Sequence, residues 1–91
     1  MQLLTIYYAF FSPGNTTEKV VSHIASSFQN YPVESINLTD YATRQEDYYF
    51  KENELLIIGV PAYGGRVPAP VVDALRHFTG SNTPVVLVAT Y

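Results

Sequence analysis

No cysteine occurs anywhere in the 91 residues, which excludes disulfides, thiolate zinc sites and cysteine-bound iron–sulfur clusters within the chain. Basic side chains are almost as scarce. Lys19, Arg44, Lys51, Arg66 and Arg76 are scattered along the sequence, and the net charge is −3. Nucleic-acid affinity rests on clustered Lys and Arg, so the composition points away from nucleic acid as a partner. Two histidines, His23 and His77, lack the i, i+4 pairing of a helical metal site, and no metal site is expected. Long apolar runs are missing too. The opening MQLLTIYYAFF falls short of the roughly 20 residues that span a bilayer and has no basic n-region of a signal peptide. No membrane partner and a cytoplasmic location are therefore expected.

What is present is apolar: 47% of the residues against 14% charged, a balance that suits one packed globular domain and not disorder. Leu3–Tyr8, Glu54–Val60 and Pro84–Thr90 are runs apolar on both faces, which marks strands buried on both sides. Val33–Asn37 alternates like a shorter strand. Between them, Val20, Val21, Ile24, Ala25 and Phe28 recur at helical spacing, predicting a helix from Thr16 to Phe28. Val71, Val72, Leu75 and Phe78 do the same for a helix from Ala69 to Thr79, with Gly80 at its left-handed terminus. Residues 38–53 show no period. Five of the eight acids, Asp40, Glu46, Asp47, Glu52 and Glu54, fall in or beside this stretch, which reads as a solvated connector with one helical turn.

Strands buried on both faces and separated by helices imply an α/β fold: a parallel sheet with right-handed crossovers and helices on both sides. In such sheets ligands bind beyond the carboxyl ends of the strands, where the strand order reverses. Two loops occupy that position. The first, FFSPGNTTEKVV, offers Ser12, Gly14, Asn15, Thr16 and Thr17 at the start of a helix. Unpaired N–H groups and a partial positive charge can hold a phosphate there without any Lys or Arg. A plain capped β–α turn would use the same residues, and both readings stand. The second, PAYGGRVPAP, joins a ring (Tyr63) and a planar cation (Arg66) to the Gly64-Gly65 pair between prolines. That combination suits a planar heterocycle, stacked and hydrogen-bonded at its edge; a Gly-Pro turn with a surface tyrosine is the alternative.

Taken together, FSPGNTTEKVV and GVPAYGGRVPAP resemble the loops of flavodoxin-like domains, and are most similar to the flavodoxin part of proteins that fuse such a domain to a ferredoxin-type iron–sulfur module. The stretch from Leu38 to Arg44 resembles the connector of that subgroup. The resemblance covers essentially all of residues 1–91. It implies a flavodoxin-like three-layer α/β/α fold of strand order 2-1-3-4, lacking the fifth strand and the last two helices. It also implies FMN as cofactor and electron transfer as function, with a redox protein or a fused iron–sulfur domain as partner. Ser12, Gly14, Asn15, Thr16 and Thr17 would hold the FMN phosphate. Pro61, Ala62, Tyr63, Gly64 and Gly65 would line the flavin ring, and Tyr91 would open a third flavin loop. Gly14-Asn15 replaces the Thr-Gly of the usual phosphate loop, which removes one hydroxyl.

A sheet of that order leaves the strand Val85–Ala89 on an edge with apolar residues on both faces. Leaving about four large side chains uncovered forfeits on the order of 6–12 kcal/mol. A homodimer or higher oligomer through the edge strand or bare sheet face is thus expected, and an assembly module working through that strand is the alternative function. A phosphorylated receiver domain is disfavoured, because Ala9-Phe10-Phe11 and Pro61 stand where its acidic residues belong. No acid, base or nucleophile pair marks a catalytic site.

Overall fold

The computed structural model describes residues 5–12, 14–28, 30–62 and 66–90. In chain order these form β1 (Ile6–Phe10), α1 (Thr16–Ser26), β2 (Val33–Asn37), α2 (Tyr41–Arg44), β3 (Tyr48–Phe50), β4 (Leu55–Pro61), α3 (Ala69–Leu75), β5 (Phe78–Gly80) and β6 (Val85–Thr90). Strands β2, β1, β4 and β6 lie in that order in a four-stranded, wholly parallel sheet. This is the order 2-1-3-4 that the resemblance of the loops implies, in the parallel α/β sheet that the apolar runs predict. Ile6 is in register with both Val33 and Leu55, and Ile58 with both Ala9 and Leu87.

Strand alternation sorts the core onto two faces. On one face Ile6, Phe10 and Ile57 meet Val21 and Ala25 of α1. On the other, Ala9, Leu56, Ile58 and Val60 meet Val71 and Ala74 of α3, with Ile36, Leu38 and Phe50 completing the cluster. The result is three layers. The contact with α1 is close because β4 carries Gly59: a Cβ there would collide with Val21 Cγ1 and stand 2.9 Å from Thr17 Cγ2. Only a glycine lets α1 settle this near the strand.

Four element boundaries depart from expectation. Strand β1 runs on through Phe10, whose carbonyl accepts the Leu38 N–H at 2.7 Å; Leu3 and Leu4, where it was expected to begin, lie outside the described residues. Helix α1 closes at Ser26, two residues before Phe28. The hydroxyls of Ser26 and Ser27 turn back to the carbonyls of His23 and Ile24, and Phe28 N–H reaches only to Ala25 O, so the last turn tightens. Helix α3 stops at Leu75, and Gly80 is in a strand, not at a helix terminus. The connector contains the predicted single turn, α2, but also β3, which pairs in parallel with β5. Aromatic packing holds this small sheet. Phe50 lies 5.2 Å from Tyr7 and 5.4 Å from Phe78, and Tyr48 lies 5.3 Å from Phe78.

Strand β6 is one edge of the sheet and β2 the other. On the α1 face Val88 packs against the core, while Val85, Val86 and Leu87 are exposed. Among the described residues no helix is long and apolar enough to cross a membrane.

Candidate functional site

Strands β1 and β4 are parallel neighbours, so the loops that follow them open at the same edge of the sheet. From β1 the chain passes to β2 on one side; from β4 it passes to β6 on the other. The strand order therefore reverses between β1 and β4, the place where parallel α/β sheets bind ligands.

Ser12 organises the first loop. It is 5% exposed, and each of its three polar groups is used. Its N–H donates to Thr39 Oγ1 at 2.8 Å, its Oγ accepts the Glu18 N–H at 3.0 Å, and its carbonyl accepts the Asn15 N–H at 3.1 Å. The Ser12 hydroxyl thus caps α1 from six residues upstream. Asn15 takes the left-handed conformation, with φ at 67°. Gly14 is exposed, and a Cβ on it would meet nothing within 4 Å. The strained backbone position is therefore that of Asn15, a residue type that tolerates it.

The threonines divide the work. Thr17 is 2% exposed, and its hydroxyl shares a hydrogen bond of 2.7 Å with the hydroxyl of Thr90 at the end of β6. Thr16 is exposed. First-turn N–H groups have no intrahelical acceptor. Those of Thr16 and Thr17 find none among the described residues, whereas that of Glu18 is taken by Ser12. The open surface of this turn is therefore Gly14, Asn15 and Thr16 with its amide, backed by the positive end of α1.

Pro61 is buried at the end of β4, in register with Thr90. Half-buried Ala62 donates its N–H to the Thr90 carbonyl at 2.8 Å. Tyr63, Gly64, Gly65 and Tyr91 lie outside the described residues. Arg66 is exposed.

Four side chains to which the sequence reading gave no site role, Asn37, Thr39, Asp40 and Arg44, shape this edge. Thr39 receives Ser12, and an Asn37 side chain that accepts the Thr39 N–H at 3.0 Å holds the turn. Arg44 donates from Nη1 to the carbonyls of Leu38 (3.0 Å) and Thr39 (3.1 Å). Its guanidinium lies 5.8 Å from the Phe11 ring centre and 5.4 Å from that of Tyr41. Asp40 caps α2 through the N–H and hydroxyl of Thr43, which is what aims the short helix so that Arg44 reaches back. The Asn37-Leu38-Thr39-Asp40 run, dense in turn and capping residues, is the signal that could have found this arrangement. Among the described residues no group of three or more His, Cys, Asp or Glu side chains converges as a metal ion would need.

Comparison with known proteins gives a different likeness from the one the loops suggested. The chain is similar to ribonuclease Z of Staphylococcus aureus: 42% identical over 61 residues in strains MSSA476 and MW2, and 40% in strain JH9. These matches cover 60% of this chain and 20% of each relative, so the chain spans about one-fifth of the length of the curated relatives it matches. No family model matches the chain, and no solved structure does. The flavodoxin affiliation, with FMN, electron transfer and a redox or iron–sulfur partner, is corrected by these relatives, which are named as ribonucleases and not as flavoproteins. Their name is equally at odds with the exclusion of nucleic acid, and it gives no specific support to an assembly module or oligomer built through β6. The exclusion rested on counting cationic side chains, whereas main-chain amides at a helix start can bind phosphate without them.

Proposed function

We propose that the carboxyl edge of the sheet, at the first turn of α1, binds the phosphate groups of RNA. One observation carries the reading: the Thr16 amide, which has no acceptor among the described residues, stands in the exposed first turn of α1 where β1 and β4 send the chain to opposite sides of the sheet. Gly14, Asn15 and Thr16 form the approach, and Ser12, held by Thr39 and Glu18, fixes its shape. The ribonuclease name of the relatives supports RNA as the source of the phosphate. These residues bind and carry out no reaction step; a cytoplasmic location is supported by there being, among the described residues, no helix long and apolar enough to cross a membrane.

The test is a titration of the labelled chain with a short oligouridylate, followed by amide NMR. The amides of Gly14 to Thr17 are expected to shift, and inorganic phosphate is expected to shift the same set more weakly. Thr16→Glu puts a carboxylate where the ligand anion would sit, while favouring the helix through its dipole. It should abolish the shifts and leave the fold intact. Shifts that avoid these amides, or that survive Thr16→Glu unchanged, would overturn the reading.

A further inference from the structure

A groove of about 510 Å³ lies between α2 and α3, with Tyr41, Arg44 and Gln45 on one wall and Asp73, Arg76 and His77 on the other. We propose that it is a separate site for a nucleotide unit, with the phosphate at Arg44 and Arg76 and the base against Tyr41.

The Arg44 side chain is half-buried and held at its head. Both hydrogens of Nη1 are used by the Leu38 and Thr39 carbonyls, and Phe11 and Tyr41 hold the guanidinium plane. A guanidinium has five donors. The three on Nε and Nη2 meet no acceptor among the described residues, and no described carboxylate forms an ion pair with this group. A cation pinned by neutral carbonyls keeps its full charge. It is also pre-ordered, so an anion that joins it immobilises little further.

Arg76 supplies the second cation. Its contact with Asp73 is 4.0 Å long between side chains 77% and 75% exposed, a geometry that contributes little and yields readily to a better anion. His77 is hydrogen-bonded at 2.7 Å to Asp47, which is outside the lining. Asp73 is the acid in the lining and sets a limit on affinity. Tyr41, 68% exposed, turns a broad aromatic surface to solvent beside the arginine, and stacking on such a ring recognises any base. The volume is that of a small-ligand site. The site stands on residues other than the first turn of α1, so it can fail or survive independently of the reading above.

The experiment titrates the full chain with inorganic phosphate, uridine, uridine monophosphate and a short oligouridylate, read by amide shifts of Tyr41 to Gln45 and Asp73 to His77. The monophosphate is expected to shift these residues and uridine to do so much more weakly. Binding by the monophosphate assigns a free nucleotide as sufficient; binding by the oligouridylate alone assigns a unit within a strand. Arg76→Gln should weaken binding about two- to five-fold, and Arg44→Met about ten-fold or more. Should Arg44→Met unfold the turn it anchors, Arg76→Gln and the exposed change Tyr41→Leu decide the matter. Unaltered affinity in both, or shifts confined to Gly14–Thr17, or no shift with any phosphate-bearing probe, would overturn the site.

Discussion

Strands β4 and β6 are adjacent, parallel and almost equally apolar in sequence, LLIIGVP against VVLVAT, yet they differ completely in burial. In β4 every residue after Leu55 is buried, and Ile57 is 0% exposed. In β6 Leu87 is 66% exposed. Composition makes both segments strands, but burial follows from neighbours. Strand β4 has a strand on each side, α1 on one face and α3 on the other. Strand β6 has one strand beside it, and α1 reaches only its far end through Val88 and Thr90.

The largest expected effect that tests this contrast is Ile57→Ala. Removing a fully buried side chain at the sheet centre should cost about 2–5 kcal/mol in urea unfolding, with the midpoint falling and the slope unchanged. Gly59→Ala, in the same strand, should cost about 1–3 kcal/mol by over-packing against Val21 and Thr17. A neutral result would mean that α1 rides farther from β4 than described. A smaller effect is set by pH. Burial first, then the carboxylates of Glu54 and Glu34, raises the Tyr7 phenol above its ordinary value of 10.0. The folded state therefore keeps its proton longer than the unfolded one. Its contribution is complete below pH 10.0 and is lost as pH climbs through the raised value. Tyr7→Phe should flatten this alkaline loss in an unfolding series. The smallest effect belongs to the edge: Leu87→Ala should change stability by no more than about 0.5 kcal/mol. A loss approaching that of Ile57→Ala would erase the contrast between the strands, by showing Leu87 covered in solution.

The sheet was legible because three runs apolar on both faces and one alternating strand, punctuated by Gly, Pro and Asn, can pack in few ways. Helix α1 was legible from Val21, Ala25 and their helical repeat. The β3–β5 pair was not. Its strands have three residues each, and Tyr48 finds Phe78 thirty positions away, a separation no local period records. Phe78 was also misleading: it stands seven residues after Val71, in phase with α3, but its ring belongs to the Phe50 and Tyr48 cluster. Arg44 was hidden because a lone arginine in an acidic connector looks solvated until the fold bends Leu38 and Thr39 beneath it. The two loops pointed to the carboxyl edge of the sheet, and the flavin resemblance attached FMN to it, which the relatives do not support. A glycine, a left-handed asparagine and capping hydroxyls specify the shape of a turn that many phosphate compounds can share.

The hydroxyl bridge between Thr17 and Thr90 ties the start of α1 to the last turn of hydrogen bonding in β6. Peeling the outermost strand away would tug on the helix opening, and an anion seated there would in turn slow the strand's fraying. Hydrogen exchange at Val88 and Ala89 should thus report occupancy of a turn that neither residue touches.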